Sequence, residues 1–157
     1  MKTSHIYPGA HSVTPYLYFK DCKKAIEFYK KAFNAKEKGI LLTPDGKVGH
    51  AEIVIEDSLI MIADENPEWQ TKSAETLGGS SFSFGLYVKD ADETFKKAVA
   101  AGAKEIMKVE QMFYGDRIGN VKDPFGITWM IATHTEDVSF PEMQKRFDKM
   151  FEQQSKN

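Results

Sequence analysis

The chain has 157 residues, 41% of them hydrophobic and 28% charged, with a formal net charge of −2. That length suits one domain or two small modules sharing a core, and the charge offers no basic field to nucleic acid or to an anionic membrane. The single cysteine, Cys22, rules out an internal disulfide and a cysteine-based zinc cage. No run nears the ~18 apolar residues of a spanning helix. The opening MKTSHIYPGAH has no apolar stretch of the kind a secretory leader needs. A cytoplasmic location is the resulting expectation.

The first residues, with His5 and His11, are expected to be poorly ordered. Val13 to Phe19 reads as a strand with Leu17 and Phe19 on one side. Asp21 can cap a helix, whose apolar stripe is Cys22, Ala25, Ile26, Tyr29, Ala32 and Phe33. Cys22 adjoins Lys23 and Lys24, which would lower a thiol pKa. Its place on the stripe favours a buried, inert thiol instead. Strands follow over Lys36 to Thr43, Lys47 to Ile55 and Leu59 to Ala63, with turns at Pro44-Asp45-Gly46 and Glu56-Asp57-Ser58. Residues 64–79 lack periodicity and read as a linker or a functional loop. Trp69 within them either covers a pocket or, more simply, packs on the nearest sheet.

Ser81 to Val88 reads as the next strand. Asp90 caps a helix through Ala101 with Phe95, Ala98 and Val99 on its apolar side, and Gly102 ends it. Strands near Lys104 to Met112, Asp116 to Val121 and Ile127 to Thr133 complete the series, the last entered through the turn Asp123-Pro124-Phe125-Gly126. From Phe140, after the Ser139/Pro141 signal, Met143, Phe147, Met150 and Phe151 mark an amphipathic helix whose apolar face needs cover.

The chain also repeats itself at an offset of 69 residues. Leu17-Tyr18-Phe19-Lys20-Asp21 lies over Leu86-Tyr87-Val88-Lys89-Asp90, Met61-Ile62-Ala63 over Met130-Ile131-Ala132, and Gly46 over Gly115. The expected organisation is an α+β fold of two βαβββ modules, residues 13–63 and 80–134, joined by 64–79 and followed by a helix over 139–154.

A tandem βαβββ containing VTPYLYFKD, HAEI, YGDRIGNVKDPFG and WMIATHTEDVS resembles the PhnB-like branch of the vicinal oxygen chelate superfamily, the glyoxalase, bleomycin-resistance and extradiol dioxygenase group. The likeness covers about residues 13 to 139. It implies that the modules form a curled eight-stranded mixed sheet around a cavity, and that the protein is a homodimer. Metal-using members place ligands at four repeat-related positions, which here are Thr14, Met61, Ser83 and Met130. Hydroxyls and thioethers are poor ligands for a hard dication. The resemblance therefore implies no metal at the usual positions and a cavity for a small organic ligand, with Met130 making one end of it apolar.

By strand alternation Thr14, Tyr16 and Tyr18 share one face, and Ser83, Gly85 and Tyr87 the equivalent one, joined by Thr128, Met130 and Ala132. The expected ligand-binding set is Thr14, Tyr16, Met61, Ser83, Tyr87, Arg117 and Met130. Arg117 is read either as an anion clamp or as half of an ion pair pinning its turn. His50 and Glu52 project from one face of a strand and are the candidate catalytic pair, His50 as general base. A divalent metal is expected only at a displaced site around them. His134 and Glu136 read as surface. The leading functional expectation is a metal-free small-molecule binder. The alternative is a metal-dependent isomerase, lyase or dioxygenase working at His50 and Glu52, and whether any reaction occurs is left open. A third reading makes assembly the main role.

Overall fold

The computed structural model describes residues 3–154, with side chains to Glu152. Two βαβββ units follow one another. The first is β1 (Tyr16–Phe19), α1 (Cys22–Phe33), β2 (Lys36–Leu42), β3 (Val48–Ile55) and β4 (Ser58–Asp64). The second is β5 (Ser83–Tyr87), α3 (Ala91–Ala101), β6 (Lys104–Gln111), β7 (Asp116–Lys122) and β8 (Thr128–His134). Each forms a four-stranded mixed sheet, ordered β1-β4-β3-β2 and β5-β8-β7-β6. The first and last strands of a unit pair in parallel across a crossover that includes the helix, and the remaining neighbours are antiparallel. The repeat read from the sequence is thus a repeat of structure: Tyr16 stands beside Met61, and Gly85 beside Met130.

Both expected caps form. Asp21 accepts from Lys24 N at 3.1 Å and Asp90 from Glu93 N at 2.9 Å, each satisfying a helix N–H that has no partner in the turn before it. Gly102 ends α3 in the left-handed conformation. All six residues of the α1 stripe are buried, with Phe28 in addition. Cys22 is fully buried, and burial, with Asp64 and Asp21 nearby, pushes its thiol up to about 12. On α3 the inward face is Ala91, Phe95 and Ala98, whereas Val99, expected inward, is exposed.

The segment 64–79 is more built than its lack of periodicity suggested. A 3₁₀ turn (Pro67–Trp69) and a short helix, α2 (Ala74–Leu77), lie within it. Glu65 ties down α2, accepting from Ser73 N at 2.7 Å and Thr76 Oγ1 at 2.8 Å. Trp69 is 66% exposed and lines a polar cleft with Thr43, Asp45, Lys47 and the start of β3. The described N-terminal residues make contacts with the first sheet. Tyr7 donates to Glu52 Oε2 at 3.3 Å, and Lys38 Nζ donates to the Pro8 carbonyl at 2.8 Å while lying over the Tyr7 ring.

The two units share one core. α1 packs on α3. Tyr29 and Phe33 of α1 reach across to Trp129 of the second sheet, at centroid distances of 5.4 and 4.7 Å. Gly119 lets α3 close on its sheet, since a Cβ there would lie 2.7 Å from both Phe95 and Val109. At the centre sits Asp123, the first residue of the DPFG turn and 4% exposed. Its Oδ2 accepts from Tyr29 OH (2.7 Å) and Trp129 Nε1 (3.0 Å), and its Oδ1 from the backbone N–H groups of Phe125 (3.0 Å) and Ile127 (2.9 Å). Burial raises the Asp123 carboxyl above its ordinary value despite those bonds, and burial beside that carboxylate raises the Tyr29 phenol further.

Tyr29→Phe removes the one hydrogen bond to Asp123 that comes from the other module. It should cost about 1–3 kcal/mol in urea unfolding. Asp123→Ala leaves two buried donors and two backbone N–H groups unpaired and should cost ~3 kcal/mol or more. A Tyr29→Phe midpoint equal to that of the wild type would show that this bond does not couple the modules.

Candidate functional site

Because α1 and α3 are packed together and both sheets bury their helix-side residues in one core, the opposite face of each sheet turns outward. The candidate residues therefore divide. Tyr16, Met61, His50 and Glu52 lie on the outer face of the first sheet, and Ser83, Tyr87 and Met130 on that of the second. Thr14 precedes β1 instead of lying in it. Its hydroxyl closes a turn, donating to the His11 carbonyl at 2.9 Å and accepting from His11 N at 3.2 Å. Within one chain the four family ligand positions do not converge.

On the first face His50 links two groups. Tyr16 OH lies 2.8 Å from its Nδ1, and its Nε2 lies 3.4 Å from Glu52 Oε1. The same-face placement expected for His50 and Glu52 is therefore observed. Glu52 is also held by Lys38 Nζ at 3.3 Å and by Tyr7. Burial acts to raise its carboxyl, but the bonds from His50, Lys38 and Tyr7 outweigh it and hold the group below its ordinary value. Leu41 stands opposite His50 in the ladder and is 68% exposed.

The second face carries a cluster that the sequence reading missed. Asp116, only 5% exposed, accepts from Tyr87 OH at 2.6 Å through Oδ2 and meets His134 Nδ1 at 2.6 Å through Oδ1. His134 Nε2 in turn lies 2.9 Å from Asp137. With its two ring nitrogens engaged on opposite sides, His134 cannot bring both carboxylates onto one ion. Among the described residues no group of three or more His, Cys, Asp or Glu is arranged to hold a metal. The hydrogen bond to Asp116 raises the Tyr87 phenol to about 12. Bonds first to Asp116 and then to Asp137 raise His134 above its ordinary value. Arg117 points to the other side of the sheet, where Asp92 of α3 takes it bidentately at 2.6 and 2.9 Å. This ion pair joins β7 to α3 and does not pin the turn, and the guanidinium does not face the cluster.

A glycine and an arginine hold the cluster in place. Gly115 has φ of +95°, and a Cβ there would collide with the Glu136 carbonyl. The Gly115 carbonyl accepts from Thr135 N (2.8 Å) and Glu136 N (2.9 Å), which fixes the exit of β8 and hence His134. Arg146, from α4 (Phe140–Gln154), binds Glu136 at 2.7 Å, the Phe113 carbonyl at 3.0 Å and Glu142 at 3.2 Å. It lays the helix over the outer face, with Phe147 against Phe113 at 5.4 Å. Between them is a cavity of about 540 Å³. Tyr87, Asp116, Met130 and His134 line the sheet side, and Phe140, Met143 and Phe147 line the helix side. The signal for this cluster was present in the hairpin register. Antiparallel partners counted back from Lys122 and Thr128 put Asp116 opposite His134.

In NMR titration His134 should show a midpoint above 6.5 that falls in Asp116→Asn and, less, in Asp137→Asn. Because the folded value is the raised one, whatever stability the pair contributes is complete below about pH 6.5 and fades as pH rises through that midpoint.

Comparison with known proteins agrees with this architecture. Residues 9–131 match the family model of the Glyoxalase/Bleomycin resistance protein/Dioxygenase superfamily. An uncharacterized protein of Mycobacterium tuberculosis is 36% identical over 136 residues, 85% of this chain and 80% of that one. The crystal structure of an Arabidopsis thaliana gene product, 33% identical, covers 78% of this chain and 98% of its own with a TM-score of 0.63. The PhnB protein of Bacillus cereus shares the fold at 16% identity, 78% and 99% coverage and a TM-score of 0.60. By its sequence match and by its fold, the chain belongs to the Glyoxalase/Bleomycin resistance protein/Dioxygenase superfamily.

Proposed function

We propose that this protein binds a small, largely apolar organic molecule on the outer face of its second sheet, beneath α4, without a metal at the positions the family uses. The cavity of about 540 Å³ carries the reading: aromatic and methionine side chains wall a few convergent polar groups. The family's metal does not fit the donors present. Met61 and Met130 offer only thioethers, the Thr14 hydroxyl is engaged with His11, and Ser83 adds one neutral hydroxyl.

The second reading is an isomerase, lyase or dioxygenase built on His50 and Glu52. The continuous link Tyr16–His50–Glu52 favours it, since a tyrosine and a carboxylate flank a potential base. Against it, Lys38 and Tyr7 already occupy Glu52 Oε2, so a cation there would have to displace an ammonium. Elemental analysis after exposure to zinc, nickel, iron and manganese decides between the readings. Substoichiometric metal in the wild type and in His50→Ala is expected. Near-stoichiometric metal that is lost in His50→Ala would overturn the metal-free reading and move the site to the first face.

The protein is further proposed to act as a homodimer. Leu41 and Leu42 on β2, and Phe140 and Phe151 on α4, are more than half exposed. A second copy packed on these side chains would cover such surface. Sedimentation equilibrium should give twice the chain mass, and Leu41→Asp should shift the population toward monomer. A wild type that stays monomeric at micromolar concentration would exclude the pairing.

A further inference from the structure

We infer that the cavity beneath α4 selects an aromatic organic cation. The inference rests on the reading of that cavity as the binding site and names the class of molecule it takes. Four aromatic residues, Phe113, Tyr114, Phe140 and Phe147, line it with Met130 and Met143, which bring polarisable sulfur. No lysine or arginine is among the lining residues. The nearest cationic side chain described above, Arg146, is matched by Glu136 and Glu142. The polar floor carries one carboxylate, Asp116, bonded to Tyr87 OH and to His134, while Asp137 stands outside the lining on the far nitrogen of that imidazole. An anion entering here would face Asp116, with no lysine or arginine in the lining and with both nitrogens of His134 already taken by Asp116 and Asp137. A neutral ligand gains only from burial. A ligand that carries its positive charge on or beside an aromatic ring gains burial, the negative faces of the rings and the field of the Asp116 carboxylate together.

The helical wall of this cavity lies outside residues 9–131, the part of the chain that the family model matches. Charge selection would then come from a segment added to the common fold, acting with a carboxylate that the fold itself supplies at the start of β7.

The test compares two dyes that light up in apolar surroundings but differ in charge, cationic thioflavin T and anionic 8-anilinonaphthalene-1-sulfonate. Both are titrated into the full chain at roughly 0.15 M salt, where diffuse attraction to the net-negative protein is screened. Thioflavin T should bind saturably and about ten-fold more tightly than the anionic dye. Phe147→Ala, at a half-exposed wall position, should weaken it several-fold, and Asp137→Asn, at an exposed position, should reduce the preference between the dyes. Asp116→Asn should reduce that preference further, with circular dichroism confirming the fold. Equal binding of the two dyes, or a preference unchanged in both Asp variants, overturns the cation assignment and leaves the cavity reading standing. Binding of neither dye, or thioflavin T binding that ignores Phe147→Ala, overturns the cavity reading itself.

Discussion

One buried carboxylate organises this molecule. Asp123 stands where a turn of the second module meets the helix of the first, and its four acceptor bonds come from both. A charge so far from water persists only because each bond is made, and removing any donor exposes the desolvation cost of the rest. This makes the turn and α1 interdependent. Tyr29 needs an acceptor deep among Phe19, Phe33 and Phe125, and Asp123 needs donors. With that contact in place, α1 lies between the two sheets and both outer faces are directed away from the shared core.

The duplication is close in the backbone and loose in the side chains. The ladder positions beside Met61 and Met130 hold Glu52 in one module and Asn120 in the other. The hairpins that lead into β4 and β8 also differ. The first is a tight turn with Glu56 at positive φ, whereas the second is the longer DPFG turn around Asp123. Each outer face has acquired its own cover: the N-terminal segment through Tyr7 and Lys38 on one side, α4 through Arg146 on the other. Two halves that began alike now offer distinct chemistry, one organised around His50 and Glu52, the other around Asp116 and His134.

How much of this could be read from residues alone follows from the range of the interactions. The helix caps, the α1 stripe, the strand order and the internal repeat are local or periodic, and the sequence showed them. So did the juxtaposition of His50 with Glu52, which needs only strand alternation. The Asp116–His134 contact spans a hairpin, and reading β8 one residue short placed His134 beyond the strand when it pairs with Asp116. The direction in which Arg117 points depends on Asp92, a helix away. The placement of the N-terminal segment involves Lys38 and Glu52, whose sequence neighbours give no hint of Tyr7 or Pro8. The separation of the two outer faces required knowing that α1 and α3 touch, a tertiary fact that no single segment encodes.

The way α4 is attached has a dynamic consequence. Its anchors include the bonds of the Arg146 guanidinium and the Phe147–Phe113 pair, while Phe140 and Phe151 are more than half exposed. A mostly exposed terminal helix is of the kind that opens as its own unit, at a fraction of the free energy that unfolds the core. Lifting it would break Arg146 from Glu136 and Phe113 without touching Asp123 or the strand ladders. Entry to the space above Asp116, and the residence time of whatever occupies it, would then be governed by the undocking rate of a terminal helix, on a clock faster than global unfolding and independent of it.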